Sequence, residues 1–399
     1  MTWPLVESID KAICRRLLDR AYSINSLRGA ARFRMPSPMF HYMDGAAGDE
    51  VTLTRNCGDF ERYELLPRYL VDVSAVDTKT TVLGQEISLP IICSPTGMNR
   101  LFHHDGELAV AKAAARAGTI YTLSTMGTYS IEDVAEVCDG PKWFQIYVFK
   151  DRTLVSEFIE RCKTAEYHAM CLTIDLPITG NRERDLRTGM TIPPAFNLKT
   201  WLGFGMHPQW SLSHLSTPPF SLANVEHRVK GGSGDDVTTL MQYIGEQFDR
   251  SVTWDDAAHM AEEWGGPFVI KGVSSVNDAR KAVDIGAHAI MISNHGGRQL
   301  DHAPSPIGLL EDVLIAVGDK VEVIVDGGVR RGADVIKALA LGAKACSVGR
   351  AYLFGLGAGG EAGVDKTFRL LREELERDMA LLGCASIEEI SPEYVRARS

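Results

Sequence analysis

The chain has 399 residues, 45% hydrophobic and 24% charged, an ordinary globular composition with ample apolar material for a large core. Its formal net charge of -10, with no block of Lys and Arg, argues against a nucleic-acid surface. Eight scattered cysteines without a CxxC pair argue against a zinc site or a disulfide framework and fit free thiols in a reducing cytoplasm.

The N-terminal stretch MTWPLVESIDKAICRR is acidic and amphipathic and lacks a signal-peptide core. No apolar run is long enough to span a bilayer. Residues 1–87 read as an N-terminal helical cap leading into a segment at the barrel bottom. From about residue 88 short apolar strands recur, at 89–94, 119–124, 143–148, 169–175, 267–272, 288–293, 321–326 and 344–349. Between them lie amphipathic helical patterns. In 151–164, Leu154, Val155, Phe158, Ile159 and Cys162 share a face, and in 305–317, Leu309, Leu310, Val313, Leu314 and Val317 do the same. Near-continuous apolar strands alternating with such helices imply a parallel sheet buried on both faces. Eight such units predict a closed (β/α)8 TIM barrel over 88–380, followed by a C-terminal tail, 381–399. Gly118, Gly286 and Gly342 each sit between a helix and a strand and are expected as positive-φ helix ends.

One region breaks the rhythm. The long excursion 176–253 follows strand four and carries Pro193, Pro194, Pro208, Pro218, Pro219, a Gly-Gly-Ser-Gly stretch and the aromatics Trp201, Phe204, Trp210 and Phe220. A connection of this length in a compact domain is usually functional or disordered.

In such a barrel the chemistry lies at the C-terminal strand ends. Those ends offer Ser94-Pro95-Thr96-Gly97, Ser124, Gln145 with Tyr147, Thr173 with Asp175, Lys271, Ser293-Asn294-His295, Asp326-Gly327-Gly328 with Arg330, and Gly349-Arg350. Glycines and arginines on strands seven and eight favour a phosphate site over turn chemistry alone. Lys271 reads either as a snorkelling lysine or as a cation facing a cofactor that becomes anionic. His295 and Arg298 share a glycine-rich loop after a buried strand, which suits a general base and a carboxylate grip, with Asp175 able to orient the histidine. His103-His104 suggests metal only weakly, because no third ligand is spaced suitably, and no metal is expected.

The motifs SNHGGRQLD (293–301), DGGVRRGADVIKALALGA (326–343) and WFQIYV (143–148) resemble the FMN-dependent (S)-2-hydroxy-acid dehydrogenase and oxidase family. The resemblance runs from about Met39 to Pro392. FHYMDGAAGDE (40–50) and EEWGGPFVIKG (262–272) look most like bacterial membrane-associated L-lactate dehydrogenases, and 130–148 and RERDL (182–186) look comparably like (S)-mandelate dehydrogenase.

The resemblance implies His295 as base, Asp175 as its partner, Arg298 and Arg182 on the substrate carboxylate with Tyr42 assisting, and Tyr147 on the substrate hydroxyl. It implies Thr96 and Gly97 against the flavin. Ser124, Gln145, Thr173 and Ser293 would contact it, and Lys271 would sit near its N1/O2 edge. Asp326, Gly328, Arg330, Gly349 and Arg350 would hold its ribityl phosphate. Whether His295 takes the α-proton or the hydroxyl proton stays open.

Gly97 stands where family oxidases more often carry alanine, which leans toward a dehydrogenase passing electrons to a quinone or cytochrome. An oxygen-using oxidase is the alternative within the class. Met126 replaces the tryptophan of glycolate-type enzymes, so lactate and longer or aryl 2-hydroxy acids outrank glycolate. MHPQWSLSHL (206–215) resembles a membrane-associating segment, so peripheral membrane contact through 191–230 competes with core packing. The protein is expected in the cytoplasm or on the inner face of its membrane, as a homo-tetramer. Two other classes compete: a barrel isomerase or lyase with a phosphorylated substrate at 327–350, and a non-catalytic scaffold.

Overall fold

A computed structural model describes residues 4–191, 195–218, 221–228 and 245–398. Pro193, Pro194, Pro219, Phe220 and the Gly-Gly-Ser-Gly stretch lie outside the described residues.

Eight parallel strands form the barrel: Ile91–Cys93, Tyr121–Ser124, Lys142–Ile146, Ala169–Thr173, Phe268–Val273, Ala289–Ser293, Glu322–Asp326 and Ala345–Val348. They are the eight expected from the apolar runs, here called strands one to eight. Strand one pairs with strand eight. Between strands one and two the ring closes by a Cys93 N–H bond to the Ile120 carbonyl, 2.9 Å, and a Thr96–Leu123 bridge.

Register sets the function of the upper rim. Ser124 is level with Gln145, Thr173 with Lys271, and Asp326 with both Ser293 and Ser347. Strands two to eight therefore bring polar residues to the upper rim in these level groups, above an apolar interior, whereas strand one places Ile92 level with Ser347. That lower interior contains Ile92, Trp143, Cys171, Val269, Met291 and Ile324, all essentially inaccessible. A hairpin of Thr80–Val82 and Gln85–Ile87 closes it from below with Val82 and Ile87, and the Leu83 N–H bonds to the Glu322 carboxylate at 3.0 Å.

The connecting helices end as the glycine pattern predicts. Gly118, Gly286 and Gly342 have φ of 66°, 80° and 109°. Such backbone lets the chain reverse into the next strand without a Cβ clash.

The N-terminal region divides between two places. Helices Pro4–Asp19 and Ile24–Arg34 pack along the last helix, Arg350–Leu382, which breaks at Gly359–Gly360. Helices Ser37–Asp44 and Val51–Gly58 instead reach the upper rim, against Glu183–Thr188 and the His295–Gly297 turn. The C-terminal residues are tied in: Val395–Ala397 pairs antiparallel with Tyr63–Leu65.

The described residues of the excursion include the helices Glu183–Thr188, Leu198–Met206 and Pro208–Ser216 and the short 3-10 turn Glu226–Arg228. No helix among the described residues is long and apolar enough to cross a membrane.

Candidate active site

A cavity of about 1140 Å3 opens at the upper rim. His295 lines it, with φ +57°, a left-handed conformation rare for a residue with a side chain. The turn is held by a reciprocal amide pair. Asn56 Nδ2 donates to Asn294 Oδ1 at 2.8 Å, and Asn294 Nδ2 donates to Asn56 Oδ1 at 2.7 Å. Asp301 accepts from the Thr52 and Val51 N–H groups at the start of helix Val51–Gly58, which docks the same helix from its other end.

The His295 ring meets Asp175 Oδ1 through Nδ1 at 2.8 Å. Burial pulls the imidazole below its ordinary pKa, although Asp175 opposes this. A neutral ring whose Nδ1–H is held by a carboxylate keeps Nε2 as its proton acceptor. Arg298 lines the same cavity and packs over the Tyr42 ring, 4.8 Å from its centroid. Its Nη1 donates to the Tyr42 and Gly45 carbonyls at 2.5 and 3.2 Å. Burial lowers its pKa to about 10, with Arg182 adding to the effect, so the guanidinium remains a cation that calls for an anion. Arg182 is held only by long bonds to the Arg298 carbonyl and Gln299 Oε1, both 3.4 Å. Tyr147 lies on the cavity wall with its ring edge-on to Phe248, and burial pushes its hydroxyl pKa up.

Lys271 forms a buried ion pair with Asp326 at 2.9 Å, and Ser293 Oγ donates to that carboxylate at 2.7 Å. Burial opposes the charge on Lys271, but Asp326 and Asp175 outweigh it and hold the ammonium on. Asp326 thus has Lys271 and Ser293 as protein partners while it also lines the cavity, and Ser293 Oγ serves that pair and accepts from the His295 N–H.

At the opposite end Gly328, Arg330, Gly349 and Arg350 line the cavity. Gly328 has φ +87°, and a Cβ there would lie 1.8 Å from the Asn56 carbonyl oxygen, so no other residue fits. Gly349 precedes the first residue of the last helix, whose free N–H groups favour an anion. Burial lowers the Arg350 pKa to about 9, with Arg298 and Arg330 contributing. Arg350 Nε, Nη1 and Nη2 donate to the carbonyls of Met43, Gly296 and Gly45, which pins the N-terminal segment to the His295 turn and leaves two of the five guanidinium N–H groups for a ligand in the cavity.

Between these ends lie polar atoms in search of partners. Gln145 Nε2, Thr173 Oγ1 and Ser347 Oγ are buried without hydrogen bonds. Ser124 Oγ donates to Gln145 Oε1 at 2.8 Å, which aims the amide nitrogen away from it. Thr96 and Gly97 line the wall, with the Thr96 hydroxyl held by Asn99 and Tyr352. Together they describe a cradle for an extended, polar, phosphorylated ring system: orphaned donors along its length and cations at one end.

A model of the FMN-dependent dehydrogenase family matches residues 31–397. The chain belongs to this family. L-lactate oxidase of Nostoc sp. is 43% identical over 369 residues, covering 92% of this chain and 95% of its own length. Glycolate oxidase of Spinacia oleracea is 40% identical over 375 residues, covering 94% and 95%. A crystal structure of the monotopic membrane protein (S)-mandelate dehydrogenase superposes with a TM-score of 0.91 at 35% identity, covering 95% of this chain and all of its own. The protein is thus an FMN-dependent oxidoreductase acting on CH–OH donors. The residues present fit FMN: Ser347 offers an unpaired polar atom in the cavity wall, Gln145 and Thr173 offer unpaired atoms at the ends of strands three and four, and Arg330 with the Gly349 helix start offers the phosphate end.

Other wall residues escaped the sequence reading. Asn56, Leu53 and Met43 come from the N-terminal helices, and Phe196 and Phe248 from the excursion; Met43 lies within the quoted 40–50 motif, and nothing local in the sequence marks the others. Gln299 had a signal, its place in the quoted motif, and its Nε2 holds the Asp175 and Ile178 carbonyls. The His103-His104 reading also needs correction, since Asp105 supplies a third ligand atom within 4.8 Å. The two rings stack 4.3 Å apart at 29°, with His103 Nδ1 and His104 Nε2 at 3.4 and 3.3 Å from the Asp105 carboxylate.

Proposed function

We propose that the protein oxidises an (S)-2-hydroxy acid of the L-lactate or (S)-mandelate type to the 2-oxo acid. The observation that carries this reading is the neutral His295, oriented by Asp175 at 2.8 Å, in one cavity with Arg298 and Arg182. Arg298 and Arg182 bind the substrate carboxylate, and Tyr42 packs the Arg298 guanidinium in place. The α-carbon then lies beside His295 Nε2, which takes the proton that the substrate gives up. Asp175 stabilises the imidazolium so formed. Tyr147 keeps its proton and donates a hydrogen bond to the substrate oxygen. FMN, when bound, supplies the two-electron acceptor, with Lys271 as the neighbouring cation.

Met126, Leu176, Met190, Phe196 and Phe248 line the cavity with apolar surface, which favours a methyl or aryl side chain over the hydrogen of glycolate. A Cβ on Gly97 would lie 2.7 Å from the Met126 Cβ, so glycine and methionine here are a matched pair. The pair supports the dehydrogenase form, with a quinone or membrane cytochrome taking the electrons. Leu198, Trp201, Leu202, Met206 and Leu215 are all more than 60% exposed on two adjacent helices, which supports peripheral membrane contact. A homo-tetramer is the expected assembly.

The test is an anaerobic visible spectrum before and after L-lactate, then (S)-mandelate. The flavin band should bleach, faster with the preferred acid. A yellow protein that bleaches with neither would overturn the substrate assignment.

A further inference from the structure

The motif RERDL holds a carboxylate to which the mechanism gives no task. Asp185 lies in the short helix Glu183–Thr188, is 8% exposed and lines the cavity. The arginine before it is spent elsewhere: Arg184 pairs with Asp44 at 2.8 Å and with Glu50. The Asp185 carboxyl has no hydrogen-bond or ion-pair partner among the described residues, yet it faces the cavity that Arg298 and Arg182 also line. The charged and titratable groups around it are Arg182 and Arg184 beside its own helix, Arg298 from the strand-six turn, and His41, Tyr42, Asp44 and Glu50 from the N-terminal segment packed against it.

These groups set the charge of the clamp. Two arginines face the substrate end, and among the described residues the carboxylates that line the cavity are Asp185 and the Lys271-bound Asp326. Burial raises its pKa to about 6, against the pull of Arg298, Arg182 and Arg184. An incoming substrate carboxylate brings a second negative charge to the same two cations. Like charges sharing a site favour protonation of one of them.

Resting on the 2-hydroxy-acid reading above, we propose that Asp185 is a positioning residue of the carboxylate clamp. It is the resident counter-charge of Arg298 and Arg182, and it takes up one proton from solvent when a carboxylate ligand binds. Affinity for the ligand therefore weakens as the pH rises through the titration of Asp185.

The experiment uses the FMN-loaded enzyme and phenylglyoxylate, a 2-oxo acid that is fully ionised throughout, followed by the flavin absorbance from pH 5.5 to 8. A pKa displaced by about one unit on binding makes the wild-type Kd rise about tenfold over this range. Asp185→Asn should lose the part of the pH dependence that Asp185 adds, while Asp185→Glu restores it. His295 stays in both variants, so its own titration cancels in the difference between their slopes. Calorimetry of the wild type in two buffers of different ionisation enthalpy should show proton uptake on binding, and needs no variant to fold. A flat wild-type profile, no proton uptake, or a slope as steep in Asp185→Asn as in the wild type overturns the role of Asp185 alone. A wild-type enzyme that binds no phenylglyoxylate at any pH overturns the 2-hydroxy-acid reading itself.

Discussion

His295 has two tasks that its environment makes compatible. It must be neutral to accept a proton, and burial ensures this; it must tolerate charge once protonated, and Asp175 ensures that. Replacing it with glutamine removes the acceptor while filling the space. Flavin should still bind, and its reduction by substrate should slow by about 10²–10⁴-fold in stopped-flow traces. The same residue shapes acid stability. The unfolded imidazole has a pKa of about 6.5 and the folded one lies lower. Between those values the unfolded chain binds a proton that the native protein refuses, so stability falls as pH drops below about 6.5 and is unaffected above it. His295→Gln should remove that part of the decline in urea midpoints measured from pH 7.5 to 5.5; an unchanged decline would show that His295 titrates normally. Gly328 and Gly97 are legible at this scale only in part. Both stand out as glycines at strand ends, but that one abuts the Asn56 carbonyl and the other Met126 depends on contacts made across the fold.

At the scale of elements, helix Val51–Gly58 is a brace for the catalytic turn. Its Asn56 is 1% exposed and completes the amide pair with Asn294, and Asp301 satisfies N–H groups at its start. Asn56→Ala removes one hydrogen bond from each amide atom of Asn294, which keep the Pro304 carbonyl and the Gly297 N–H, at a cost of about 1–3 kcal/mol for the two bonds. Thermal unfolding of the FMN-loaded enzyme should show a lower Tm, and flavin reduction should slow because the His295 backbone loses its support. Wild-type values for both would mean that the turn holds itself. None of this could be read from 51–58, whose residues carry no motif. The strand ends were readable because a parallel barrel places every one of them on one rim. What each side chain does there was not. Arg350 sits where a phosphate ligand was expected, but its donors are drawn to Met43, Gly45 and Gly296, carbonyls that reach it only after the N-terminal helices fold over the rim. Asp326 likewise became the partner of Lys271 through the lateral register of strands five to seven.

The whole molecule has one chemical end and one structural end. The hairpin Thr80–Val82/Gln85–Ile87 seals the bottom, and the cavity opens at the top beside the excursion. Phe196 links the two parts of that upper end: it lines the cavity and meets Trp201 edge-on at 6.0 Å and Phe204 at 5.3 Å. The exposed helices Leu198–Met206 and Pro208–Ser216 thus stand next to the cavity mouth. The proposed membrane contact predicts that the protein sediments with lipid vesicles, and that replacing Trp201 and Leu202 with serine releases it without loss of bound FMN. A protein that stays in the supernatant with every vesicle composition would remove the membrane from the reading.

The sequence by itself determined the barrel, its eight strands and the identity of the residues on its rim, because local periodicity and strand-end chemistry repeat with each unit. Only the tertiary structure decided how those residues divide the work. That Asp326 pairs with Lys271, that Arg350 holds the Met43, Gly45 and Gly296 carbonyls, and that Asp185 stands in one cavity with Arg182 and Arg298 depend on distances between segments far apart in the chain. Electrostatics and desolvation act through space, and no spacing along the chain encodes them.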